Sequence, residues 1–209
     1  MLKSTLITGM AFLMLSCGNE KKEENNTDTE SVNVIEGAKN LSKMSDAASK
    51  LEEQTAKLKE MTPLTNDELK AVVPETLGGL KRKSYSAGAM GTVGLSAIDA
   101  EYGLESDDTT KRINIGIMDG AGESGSAIVS LLAMGLSMDT ESESNGTKSK
   151  TTEINGIRAM TEETKIDQTV RSSIKYIVKD RYSINLSGEG YSLAELEAFM
   201  KNINTSSLK

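Results

Sequence analysis

Lys148–Glu163 reads KSKTTEINGIRAMTEE, and this stretch decides the fold class. Asn155-Gly156 stands between two β-prone runs, 148–154 and 157–163. Both residues tolerate the positive φ that a two-residue hairpin turn demands. Downstream the pattern repeats. Val170, Ile174, Tyr176 and Val178 line one face of a strand, and Lys179-Asp180-Arg181 turns the chain. Tyr182, Ile184 and Leu186 line the return strand, which Gly188 and Gly190 are expected to break. Ser192-Leu193-Ala194-Glu195 then forms a capping box with Tyr191 and Leu196 as its staple. Leu193, Leu196, Met200 and Ile203 make the buried stripe of a last helix.

Working outward, the pattern extends toward the N-terminus. Pro63 ends one helix, and Thr65-Asn66-Asp67-Glu68 opens another with Leu64 and Leu69 as staple. That helix should run to about Val73, before Pro74. Strands are expected near 80–88, over 92–103 with Gly94 weakening it, and over Arg112–Met118. Ile113, Ile115 and Ile117 face one way there, and Arg112 and Asn114 the other. A helix over 125–137 follows, and Asp139–Gly146 reads as a mobile acidic loop. Hairpin-linked strands with helices laid on them imply an α+β domain over 62–209 with a mostly antiparallel sheet.

A long helix is expected to precede this domain, over 31–61. Leu41, Met44, Ala48, Leu51 and Leu58 recur at steps of three and four, with Thr55 as the weak position. Such a helix would extend on the order of 45 Å. It has three readings: a short coiled coil that self-associates, a monomeric stalk, or a helix packed on its own domain. Residues 17–30 hold no large apolar residue after Cys17 and read as a flexible tether.

Residues 1–16 read as a signal peptide: Lys3, then a short apolar run from Leu6 to Leu15, then Ser16. The run is too short for a mature membrane span. Met14-Leu15-Ser16-Cys17-Gly18 resembles a lipobox of Gram-negative type, cut before a lipid-modified cysteine. It departs from the usual motif at Met14, where Leu is common, and at Leu15, where a smaller residue is. The resemblance implies a lipoprotein carrying palmitate-type acyl chains on Cys17. Gly18 after the cysteine, where Asp would resemble an inner-membrane retention signal, implies the outer membrane. Glu20-Lys21-Lys22-Glu23-Glu24 resembles the tethers of surface-displayed lipoproteins, and reads equally as a solvated linker. The competing reading of the whole segment is an ordinary secretory signal with an incidental cysteine.

Over 65–204, Leu77-Gly78-Gly79-Leu80-Lys81-Arg82 and Val178-Lys179-Asp180-Arg181-Tyr182 resemble segments of uncharacterised bacterial lipoprotein domains. The order of elements is similar to that of Mog1/PsbP-like envelope domains. These likenesses imply a fold and bring no activity.

Composition excludes more than it proposes. The chain holds 24 Lys+Arg against 31 Asp+Glu, which argues against nucleic acid or a bare anionic membrane surface as the main partner. Aromatic residues make up 3% and Trp is absent, so stacking platforms for bases or sugars are not expected. With no His, the commonest general base and neutral metal ligand are missing, and Cys17 is the only thiol. No catalytic, cofactor or metal residues are therefore expected.

Gly120-Ala121-Gly122-Glu123-Ser124-Gly125 spells G-x-G-x-x-G between a strand and an apolar helix. A dinucleotide site would want a preceding strand apolar on both faces, and this one alternates. Gly122, Ser124, Gly125 and Ser126 remain weak candidates for another anion; the competing reading has Ser124 or Ser126 capping the helix. Asp139–Gly146 fails as a calcium loop because Thr152 stands where Glu is needed. Glu162-Glu163 and Asp107-Asp108 should point to opposite faces, and Lys81-Arg82-Lys83 reads as a charged strand edge, with contact to a phosphate or acidic partner as the competing reading.

The resulting expectation is a non-enzymatic envelope lipoprotein. It would meet the membrane through its N-terminal lipid and bind a protein or envelope component. The alternative is a small-ligand or lipid carrier with Ile128, Leu131 and Leu132 lining a space between sheet and helix, and an enzyme of unfamiliar type ranks below both.

Overall fold

Ile113, Ile115 and Ile117 alternate along one strand and are all buried, which fixes the face on which the core forms. The computed structural model describes residues 48–90, 95–106 and 110–209. The signal at 1–16, Cys17 and the tether to residue 30, residues 31–47 of the expected helix, Gly94 and Asp107-Asp108 lie outside the described residues.

Helix α1 is described over 48–60. It is followed by α2 (Asn66–Lys70), β1 (Thr76–Leu77), β2 (Leu80–Met90), β3 (Leu95–Gly103) and β4 (Arg112–Asp119). Then come α3 (Gly122–Ser137), β5 (Glu141–Ser144), β6 (Thr147–Ile154), β7 (Ile157–Ile166), β8 (Thr169–Val178), β9 (Tyr182–Glu189) and α4 (Leu193–Met200). The strands form one nine-stranded sheet in the order β1-β2-β3-β4-β9-β8-β7-β6-β5. Every neighbouring pair is antiparallel. The domain is thus α+β with an antiparallel sheet. Two meanders, β1–β4 and β5–β9, meet along β4 and β9, where Ile117 pairs with Ile184 and Ile115 with Leu186.

One face of the sheet carries the main core. Ile98, Tyr102, Ile113, Ile115, Ile117, Ile174, Tyr176, Tyr182, Ile184 and Leu186 join Leu69 and Val72 from around α2 and Leu196 and Met200 from α4. Each fully buried aliphatic side chain contributes roughly 1.5–3 kcal/mol, so this face supplies most of the stability. Both expected capping boxes are present, Thr65 with Glu68 and Ser192 with Glu195. Glu163 on β7 also faces this side and accepts from Leu193 N at the start of α4 (2.8 Å). Glu162, its neighbour, points to the opposite face.

Among the described residues, the opposite face is covered only in part, by α3. Arg158 of β7 donates to Leu136 O (2.8 Å), near the C-terminus of α3. Helix α1 joins this layer: Thr55 and Ser130 share a hydrogen bond (2.5 Å), and Leu58 is buried.

The structure corrects several sequence expectations. Asp139–Gly146 is no loop, since Glu141–Ser144 pairs with β6 across a second hairpin. Its turn is Asn145-Gly146 (φ 50° and 77°), the same left-handed pair as Asn155-Gly156 (φ 51° and 80°). Helix α3 starts at Gly122, three residues earlier than expected, with Ala121 as an N-cap that makes no side-chain bond. Neither Ser124 nor Ser126 caps it. Strand β9 runs through Gly188 and ends at Glu189, and Gly190 (φ 73°) lies beyond it. Arg82 is not free edge charge: it donates to Val73 O (2.6 Å) and lies over the Tyr85 ring.

Candidate functional site

The antiparallel register sets side chains into ladders across the partly covered face. One ladder reads Gly103, Arg112, Glu189, Arg171 and Thr164. The next reads Glu101, Asn114, Ser187, Ser173 and Glu162. A third reads Asp99, Gly116, Asn185, Lys175 and Met160. Short side chains at Asn114, Ser187 and Ser173 leave a trough of about 420 Å³, whose lining also includes Glu101, Arg112, Glu162, Arg171 and Glu189.

One end of the trough is held by charge. Glu189 accepts from Arg112 Nε (2.6 Å) through one oxygen and faces Arg171 Nε (3.3 Å) through the other. Both pairs are partly exposed, so water screens them and they contribute little stability; their effect is to hold three long side chains in one row. In the third ladder, next to the trough, Gly116 carries no side chain, and a Cβ there would lie 2.9 Å from Asp99 Oδ1. Asn185 Oδ1 is buried with no hydrogen-bond partner among the described residues. The trough itself therefore offers the exposed Asn114 amide and two serine hydroxyls between charges of both signs.

Glu101 and Glu162 sit four strands apart, roughly 19 Å at the usual strand spacing, too far to share one bond as acid and base. Among the described residues no three acidic, Cys or His side chains gather as a metal site.

The glycine-rich turn does other work. The structure brings Gly122, Ser124, Gly125 and Ser126 together in the first turn of α3. Gly125 and Ser126 are buried, and the Ser126 hydroxyl donates back to Glu123 O (2.9 Å). A carboxylate from the chain itself occupies the turn. Asp119, fully buried, accepts from Ala121 N (3.0 Å) and Leu64 N (2.8 Å) and pairs with Arg181. Cys17 lies outside the described residues.

Ile128 and Leu131 do not line a space between sheet and helix. They face outward with Met134 and Met138, at 41%, 65%, 49% and 51% exposure. Arg112, Glu189, Arg171, Ser173 and Ser187 were missed as a group because each reads as the solvent half of an alternating strand. Only the pairing register sets them side by side.

No protein-family model matches the chain, and no curated protein or solved structure is similar enough to count as a match.

Proposed function

We propose that this chain is a lipid-anchored envelope lipoprotein whose α+β domain is a non-enzymatic binding module for a protein or envelope component. The observation that carries the binding reading is the trough over Asn114, Ser187 and Ser173, a row of small polar side chains clasped by Arg112–Glu189–Arg171. Its small polar groups lie between paired charges and are open to solvent, which favours a polar, hydrogen-bonding surface over an apolar ligand. The lipobox-like Met14–Gly18 supports attachment through Cys17 and, by Gly18, delivery to the outer membrane. Helix 48–60 is read as the domain-proximal end of the spacer expected over 31–61.

A photo-reactive amino acid at Ser187 tests the binding reading in intact cells, against the same group at Ala198 on α4. A discrete adduct at Ser187 that is absent at Ala198 is expected. Equal or no adducts at the two positions would overturn it. The anchor is tested separately: Cys17→Ala should move the protein from the membrane fraction to the soluble one, and continued retention with lipid would refute lipidation.

The carrier reading keeps one supporting observation. A mostly apolar cleft of about 340 Å³ between β8 and the end of α4 is lined by Ile157, Tyr176, Val178, Met200 and Ile203. Lipid co-purifying with the protein and lost on Val178→Arg would favour it.

A further inference from the structure

We propose that the outward face of α3 is a membrane-resting surface, seated on the bilayer that holds the N-terminal lipid. This rests on the lipoprotein reading and adds an orientation to it.

The face is unusual for a helix on a water-soluble domain. A surface helix normally turns its apolar stripe inward and its charges outward. Helix α3 does turn Val129 and Leu136 inward, but Ala127, Ile128, Leu131, Met134 and Met138 occupy the outer side. From Gly122 to Ser137 the only charged residue is Glu123, in the first turn. Met160, exposed on neighbouring β7, extends the patch beside Gly135. A contiguous apolar patch of this kind marks an interaction surface.

Its chemistry selects the occupant. Protein interfaces concentrate their energy in Tyr, Trp and Arg anchors; Arg158, at the C-terminal rim, is committed to Leu136 O, Met138 O and Asp139, and the helix face itself supplies none. It offers aliphatic and thioether groups without a polar handle, which suit acyl chains just below the headgroups. The position agrees. Helix α1 lies beside α3 through the Thr55–Ser130 contact, so the chain coming from Cys17 enters the domain on the α3 side of the sheet. Residues 18–47 span at most about 100 Å even fully extended, so the bilayer is always a high-concentration neighbour. A contact too weak to hold a free protein at a membrane is then enough to orient a tethered one.

The test uses the lipidated protein in nanodiscs of phosphatidylethanolamine and phosphatidylglycerol with brominated acyl chains. Cys17 carries the lipid, so Leu131→Cys or Ala198→Cys supplies a unique thiol for an environment-sensitive fluorophore. Fluorescence at position 131 should shift blue and be quenched several-fold more than at 198, with little dependence on salt. Adding Ile128→Glu and Met134→Glu should abolish the difference while circular dichroism stays unchanged. Equal quenching at 131 and 198 in protein that partitions with the discs would overturn the membrane seat and leave the anchor standing. A dry label at 131 that instead tracks protein density, with energy transfer between copies, would assign the face to a second chain and also overturn it. Failure of the wild-type protein to partition with the discs would overturn the anchor and the seat together.

Discussion

Arg181 lays its guanidinium against the fully buried carboxylate of Asp119, Nε to Oδ1 at 2.7 Å and Nη2 to Oδ2 at 2.8 Å. This two-pronged pair ties three places together. Asp119 ends β4, Arg181 sits in the β8–β9 turn, and Arg181 also donates to Thr62 O (2.9 Å) before α2. Removing one partner of such a pair leaves the other charge stranded, at a cost of about 3–5 kcal/mol. Arg181→Ala and Asp119→Ala should each lower stability by that order in urea unfolding, and the double variant should cost clearly less than their sum. Additive losses would show the pair to be uncoupled.

The two capping boxes predict acid sensitivity. Glu68 is lowered from 4.5 to about 2, first by its hydrogen bond with Lys209 and then by those from Thr65. Glu195 is lowered chiefly by the Ser192 backbone and hydroxyl, and Glu163 by Lys165 and then Leu193 N–H. A depressed carboxylate stabilises fully above its unfolded pKa, and that contribution drains as pH falls through the folded one. Stability should therefore fall as pH drops from about 4.5 to about 2, and Glu68→Gln should flatten part of that fall. Thr65→Ala or Ser192→Ala should cost about 1 kcal/mol at neutral pH. An unchanged pH profile in Glu68→Gln would refute the assignment.

Gly125 predicts a sign opposite to helix propensity. Inside an exposed helix, Gly→Ala gains up to about 1 kcal/mol. Here a Cβ would lie 2.6 Å from Asp119 O and 2.9 Å from the Gly120 carbonyl carbon, both backbone atoms. Gly125→Ala should thus destabilise by about 1–3 kcal/mol as the helix is pushed off the sheet end. A rise in melting temperature would contradict this packing.

Leu131 and Leu136 are two leucines of one helix with different surroundings. Leu136 is buried, so Leu136→Ala should cost about 2–5 kcal/mol. Leu131→Ala should change stability by no more than about 0.5 kcal/mol in the delipidated monomer. A large loss at Leu131 without membrane would mean that this side chain is already covered by protein.

These contrasts show where the sequence could be read and where it could not. Asn155-Gly156 was legible because alternating apolar residues flank it. Asn145-Gly146 carries the same turn chemistry, but ESES over 141–144 has no apolar face, so β5 reads as a loop in the sequence. Both capping boxes were legible because they are local. Whether Ile128 or Val129 faces inward was not, since α3 is apolar nearly all round. Asp119 left one signal: it extends the buried series Ile113, Ile115, Ile117 by one step, so its charge falls on a core position and needs a partner. That the partner would be Arg181 depends on β9 pairing with β4, which no local pattern encodes.

That central pairing also sets when the domain can exist. Strand β4 has no second neighbour until β9 arrives, and β9 lies far downstream of β4 in the chain. Until Tyr182–Glu189 is available, the two meanders each present a naked inner edge, and Ile113, Ile115 and Ile117 lack half their cover. Folding must wait for a contact between distant parts of the chain, which makes it slow. Were the chain exported as proposed, that delay would keep the polypeptide threadable while it crosses a membrane, and β9, by entering the middle of the sheet instead of its border, would lock it on the far side.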